Sequence, residues 1–137
     1  MLQVVAGYSG TPLARKLAIK PHSRLLLLRA PEGFAIPELP DGVTPHRRAG
    51  HDPYDTILLF SASKAEMAQR FSPATARLTT SGGIWTCWPK KASGIATDLT
   101  ENALREIGLA TEFVDVKVCA VDETWSGLRF VRRLKHR

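Results

Sequence analysis

The sequence predicts an α/β domain, built on a mostly parallel β-sheet flanked by helices and finished by a C-terminal antiparallel β-hairpin. Three observations carry that prediction. Continuous apolar runs at 25–28, 55–60 and 84–88 read as strands buried on both faces. Helix-start signals fall between and after them, at Ser63 with Glu66 and at Asp98 with Glu101. Beyond Gly108 the pattern changes to alternation over 113–121 and 125–132, split by Asp122-Glu123-Thr124, as in a hairpin. Strands alternating with helices imply parallel pairing, and the hairpin then adds an antiparallel edge.

In chain order, Thr11 reads as a helix cap and Pro12 as the first helical residue. Leu13 and Leu17, with Ala14 and Ala18, give that helix one apolar face, and Pro21 ends it. The first strand occupies 24–29, and the proline-rich stretch 31–40 is a loop. Residues 42–46 read as a short edge strand, because Pro45 is tolerated only at an edge. A basic loop at 47–53 leads to the second strand. A helix follows at 63–70, with another helical turn at 73–78. Ser81-Gly82-Gly83 reads as a turn into the third strand, which Pro89 stops. The clearest helix is 98–108: Asp98 and Glu101 form its capping box, Leu99, Leu104 and Ile107 its apolar side, and Gly108 its end. In the hairpin, Val114, Val116, Val118 and Ala120 share one face and Asp115, Lys117 and Cys119 the other.

A chain of 137 residues fits one domain, 1–137, with a core of its own. Hydrophobic residues at 44% and charged residues at 23% exclude a disordered chain. No apolar run approaches the roughly 18 residues of a membrane span. The N-terminus lacks the pattern of a signal peptide, so a cytoplasmic protein without membrane contact is expected. Cys87 and Cys119 lie in strand-like runs with no CxxC partner and read as inert core thiols. The net charge of +6 favours anionic partners. It is concentrated in Arg15, Lys16, Lys20 and Arg24 around the first helix, and in an acid-free stretch at 129–137.

The order of elements resembles the Rossmann-like layout of class I small-molecule methyltransferases. Leu17-Ala18-Ile19-Lys20-Pro21 and the strand at 25–28 are similar to the entry to their first strand. Asp55-Thr56-Ile57-Leu58-Leu59-Phe60 is similar to their fourth, and 78–85, through Gly82-Gly83, to the turn into their fifth. The resemblance implies a reduced version of that fold, with the usual third strand missing. Three stretches, Gly7-Tyr8-Ser9-Gly10-Thr11-Pro12-Leu13, Trp88-Pro89-Lys90-Lys91-Ala92-Ser93-Gly94 and Asp122-Glu123-Thr124-Trp125-Ser126-Gly127-Leu128-Arg129-Phe130, resemble a bacterial family defined only as a domain of unknown function (number 3052). That resemblance implies the same fold and brings no activity with it.

Methyltransferases of this class hold S-adenosylmethionine with a glycine-rich turn after strand one and an acidic residue ending strand two. Here strand one is followed by Arg29-Ala30-Pro31-Glu32-Gly33-Phe34, and the candidate second strand ends in His46-Arg47-Arg48. Neither feature suits the cofactor, so no cofactor and no catalytic residue are expected. His22, His46, His51 and His136 match no zinc spacing, and no metal is expected. Ser9, Ser93 and Ser126 each neighbour a glycine but none sits in GxSxG.

Lys90, Lys91, Ser93 and Gly94 leave the carboxyl end of a predicted central strand, the edge where open α/β sheets bind ligands. Two ammonium groups, a hydroxyl and a glycine ahead of a helix suit an anion, and Lys117 is placed to join them. Trp125 and Ser126 are candidates for ring contact, with anchoring of the hairpin as the alternative role. Tyr8-Ser9-Gly10 reads as an arm over this edge or as a tail. The resulting expectation is a non-catalytic binding or regulatory module for an anionic small molecule, a nucleotide or phosphorylated metabolite. Nucleic-acid binding through Arg129, Arg132, Arg133, Lys135 and Arg137 is one alternative, and an atypical S-adenosylmethionine-dependent methyltransferase is another. A protein partner is neither favoured nor opposed.

Overall fold

A computed structural model describes residues 10–137; the proposed arm at Tyr8 and Ser9 lies outside them. Five strands form one sheet in the order β1-β2-β3-β5-β4. β1 (Leu25–Leu28), β2 (Tyr54–Phe60) and β3 (Leu78–Pro89) are parallel neighbours. β5 (Trp125–Arg132) runs antiparallel to β3, and β4 (Phe113–Ala120) runs antiparallel to β5. The sheet is therefore mixed, with β3 as the seam between its parallel and antiparallel halves. The predicted edge strand at 42–46 is reduced to a single parallel bridge from His46 to Leu26.

Two apolar layers sandwich the sheet. On one face, α2 (Lys64–Thr75) and α3 (Glu101–Leu109) bring Met67, Phe71, Ala103 and Leu104 against Ile57, Ile84 and Phe130. On the other, the short α1 (Leu13–Lys16) and the irregular chain after it bring Leu17, Ile19, Phe34 and Ile36 against Leu58 and Trp85. Trp85 is fully buried, and its indole N–H donates to the carbonyl of Leu17 at 3.0 Å. That bond pins the N-terminal segment to the middle of β3. Gly127, on β5, lies tight beside the ring: a Cβ there would sit 3.0 Å from Trp85 Cε3 and 3.1 Å from Val121, so a side chain would require these neighbours to give by a few tenths of an ångström.

Several elements differ from the sequence reading. α1 stops at Lys16, and Ala18 takes a positive φ of 63° before Pro21 is reached. α2 continues through Pro73 to Thr75 as one helix, since Phe71 and Ala74 on either side are held in the core. Ser81-Gly82-Gly83 is no turn but part of β3, which bulges where Tyr54 pairs with Leu78 and Thr56 with Gly83. The pair is needed for close approach: a Cβ at Gly82 would meet the Asp55 carbonyl at 2.9 Å, and one at Gly83 would meet the Arg129 guanidinium at 2.6 Å. In β4 the strict alternation breaks between Asp115 and Lys117. The bulge leaves Val116 half exposed and puts Asp115 on the α3 side, 2.9 Å from Arg105.

Replacing Trp85 with Phe removes the partner of a buried carbonyl, and the expected loss is about 2 kcal/mol of unfolding free energy. Chemical denaturation measures it; an unchanged midpoint would show that the indole bond does not hold the N-terminal segment.

Candidate functional site

The carboxyl ends of β1, β2 and β3 define the edge at which an open α/β sheet receives ligands. After β1 the backbone turns at Arg29 with a φ of +61°, a conformation that strains any residue but glycine. The loop then folds its own side chain back over the sheet. Phe34 is buried and meets Phe60, the last residue of β2, edge-on at 4.9 Å. Phe60 in turn meets Trp125, the first residue of β5, edge-on at 5.2 Å. Arg47 fixes this loop by donating from Nη2 to the Phe34 carbonyl. His46 is likewise engaged, its Nδ1 lying 2.6 Å from the Tyr54 hydroxyl. The cations that stand in place of a ribose-binding carboxylate thus begin with two residues that hold the chain to itself.

The Lys90 turn stands at the adjoining end of β3. The Lys90 amide donates to the Thr124 carbonyl of the hairpin turn at 2.8 Å. Residues Lys91–Ser93 form a single helical turn, which Gly94 leaves at a φ of +80°. The Ser93 hydroxyl donates to the Lys90 carbonyl at 2.6 Å and accepts from the Ile95 amide at 3.2 Å. Ser93 and Gly94 therefore build the turn, which leaves Lys90 and Lys91 as its charged groups. Lys117 lies on the same face of the sheet as Cys119, and the Cys119 thiol senses Lys16, Lys117 and Lys90 together. Lys16 belongs to α1, and its place in this group was not anticipated. The sequence signal was the basic cluster around the first helix, which spacing alone could not connect to β4. Trp125 anchors to Phe60, and Ser126 lies between Trp88 and Ala120 in the strand register.

The residues of the basic tail have separate roles. Arg132 is tied to the fold through a 3.4 Å ion pair with Glu112, bonds to the carbonyls of Thr75 and Thr79, and a guanidinium 5.0 Å above the Phe113 ring. Arg133 donates its amide to the Glu112 carbonyl, and Arg137 reaches back from Nε to the Arg132 carbonyl. Lys135 is exposed. Arg129 lies within the sheet, opposite Lys117.

The expected capping roles are redistributed. Ser63 caps α2 by accepting from the Glu66 amide, while the Glu66 carboxylate pairs with Arg70. Asp98 does not cap α3: Thr100 does, by accepting from the Ala103 amide. Asp98 instead accepts from the Lys64 amide at 2.7 Å, and Thr97 donates to the Ala62 carbonyl at 2.6 Å. The segment after the Lys90 turn is thereby bound to the start of α2.

Both cysteines are free thiols, and Cys87, Gly127 and Cys119 share one rung across three strands. Two strand spacings place their Cα atoms roughly 10 Å apart, too far for a disulfide. Burial raises both thiol pKa values, and does so most for the fully buried Cys87. Among the described residues no cluster of metal-ligating side chains occurs, and no helix is long and apolar enough to cross a membrane.

No family model matches the chain, and no curated protein matches it. Solved structures do. A magnesium protoporphyrin IX methyltransferase (ChlM) from Synechocystis PCC 6803, with bound S-adenosylmethionine, superposes with a TM-score of 0.57 over 88% of this chain and 74% of its own, at 11% identity. A fibrillarin/Nop5p complex contributes a chain with a TM-score of 0.52, covering 82% of this chain and 73% of its own at 10% identity. The likeness is one of fold: this is a methyltransferase-like α/β domain with a five-stranded mixed sheet.

Asp98→Ala should lower stability by about 1 kcal/mol and selectively expose the Lys64 amide to hydrogen exchange. Exposure of the first amides of α3 instead would contradict the assigned partner. In thiol labelling at pH 8, Cys119 should react before Cys87, and both more slowly than an unfolded thiol, because a raised pKa means less thiolate.

Proposed function

We propose that this domain is a binding module on a methyltransferase-like fold, taking an anionic small molecule at the Lys90 turn without transferring methyl groups. The observation that carries the reading is the Phe34–Phe60–Trp125 stack. Where the methyltransferase resemblance expects a glycine-rich turn open to the cofactor, this chain has a strained Arg29 and a loop that returns an aromatic ring onto the end of β2. Lys90 and Lys91 remain at the neighbouring strand end, with Lys117 and Lys16 close by, and they suit the phosphates of a nucleotide or a phosphorylated metabolite. The resemblance to the family of unknown function, number 3052, and the reduced sheet without the usual third strand belong to this proposal.

A second reading is an atypical S-adenosylmethionine-dependent methyltransferase. It is favoured by the extent of the fold likeness to a structure that holds S-adenosylmethionine. It requires Phe34 to leave its place, at the expense of roughly 3 kcal/mol of aromatic burial.

Thermal denaturation with nucleotides and with S-adenosylhomocysteine separates the two. A ligand at a hundred times its Kd adds about 2.7 kcal/mol of stability. A rise of several degrees with a nucleotide, lost in the Lys90→Glu, Lys91→Glu double variant, is the expected result. A rise with S-adenosylhomocysteine alone would overturn the proposal in favour of the second reading.

A further inference from the structure

Arg129 lies on the sheet face opposite α2 and α3, and among the described residues no hydrogen bond or ion pair engages its guanidinium. Its strand neighbours in register are Trp85 on β3 and Lys117 on β4. The guanidinium lies against Gly83, where a Cβ would stand 2.6 Å from Nε and Nη2. Nε is buried without a hydrogen-bond partner, whereas the two Nη groups are not sealed off. Among the described residues no carboxylate pairs with Arg129. Burial and the charge of Arg137 both lower its affinity for a proton, so its surroundings oppose its charge.

The surrounding charges extend this arrangement. Lys117 stands directly across from Arg129, and like charges opposite one another in a sheet destabilise it. Arg137 bonds to the Arg132 carbonyl at one end of β5. At the other end the Lys90 amide bonds to the Thr124 carbonyl. A row of basic residues therefore follows β5, with Arg137 and Lys90 bonded near its two ends and Arg129 and Lys117 between them. Asp122 bounds it in the hairpin turn, where its carboxylate is held by the Thr124 and Trp125 amides. A half-buried guanidinium with one unmet, buried donor is costly, and a cation opposite it adds to the cost. An oxyanion would relieve both at once.

We propose that Arg129 and Lys117 form the centre of a site for a ligand carrying more than one phosphoryl group. Arg129 presents its Nη donors end-on to one phosphoryl group, and Lys117 meets the same group from the adjacent strand. Arg137 and Lys90 flank the centre, so a second phosphoryl group has a cation to meet in either direction along the row. A guanidinium suits this role because its rigid fork matches two oxygens of one phosphoryl group. The site shares Lys117 and Lys90 with the anion site proposed at the Lys90 turn but does not rest on the nucleotide reading, since its centre, Arg129 and Lys117, lies in β5 and β4.

The test is thermal denaturation of the full chain with tripolyphosphate, inorganic phosphate or a single-stranded oligothymidylate, each against sodium chloride of equal ionic strength. The wild type should gain several degrees with tripolyphosphate beyond the salt control. Arg129→Gln should melt no lower than the wild type without ligand, because it removes an unpaired, half-buried cation that faces another cation, and should lose the gain. Lys117→Gln, at an exposed position, should reduce the gain and serves as the second variant should Arg129→Gln fail to fold. Lys91→Glu should keep the gain, which separates this site from the Lys90 turn. An oligothymidylate outperforming tripolyphosphate at equal phosphate concentration would support the site with a nucleic-acid backbone as the source. Tripolyphosphate outperforming the oligonucleotide would support it with a small polyphosphate ligand. No gain beyond the salt control, a gain from inorganic phosphate alone, or a gain unchanged in Arg129→Gln and Lys117→Gln would each overturn it.

Discussion

The bond from the Trp85 indole to the Leu17 carbonyl is the interaction on which the arrangement depends. β3 is the strand where the sheet changes from parallel to antiparallel, and Trp85 is its largest fully buried residue. An indole N–H cannot be buried there without an acceptor. The N-terminal segment supplies it, and so becomes the cover of that face. Gly127 lies against the same ring, which leaves little room for a side chain on the neighbouring strand. The bare Gly127 in turn separates Cys87 from Cys119 on their shared rung.

How this face is covered determines what the carboxyl edge can do. After β1 the chain forms no helix but a proline-rich loop, which contributes Phe34 and Ile36 to the core. Apolar burial is the dominant favourable term in folding, and here it occupies the carboxyl edge of the sheet. The cations follow a different logic. Arg47 and Arg132 are spent on backbone carbonyls and hold loops and helix ends. Arg129 and Lys117 are not, and they stand opposite one another without an acid between them.

Much of this was legible in the residues. The three buried strands, the hairpin, the Ser63 cap and the apolar side of α3 follow from local pattern, because periodicity and capping are local chemistry. The errors arose where a distant contact decided the outcome. Gly82 and Gly83 look like a turn until Asp55 and Arg129 are seen to press against them. Asp98 looks like the cap of the helix that follows it, but its partner is Lys64, on another helix. Pro73 reads as a boundary, yet core packing on both sides carries the helix through it. At the site, the Lys90 turn was found where expected, but its hydroxyl is consumed by the turn itself. Lys16 and the pairing of Arg129 with Lys117 could not be read, because strand register links residues that the sequence separates. The bulge after Asp115 sets that register, and no one-strand pattern reveals it.

The chain's own aromatic rings, Phe34, Phe60 and Trp125, cover the carboxyl end of β2, the edge at which an open α/β sheet receives ligands. The Trp125 indole resonance reports on that edge, since the ring rests on Phe60, which rests on Phe34. The most direct measurement is a nuclear magnetic resonance titration of this signal with S-adenosylhomocysteine. The account predicts a resonance that stays in place through millimolar ligand. A saturable shift of that signal would mean that the stack opens to admit the ligand, and would contradict it.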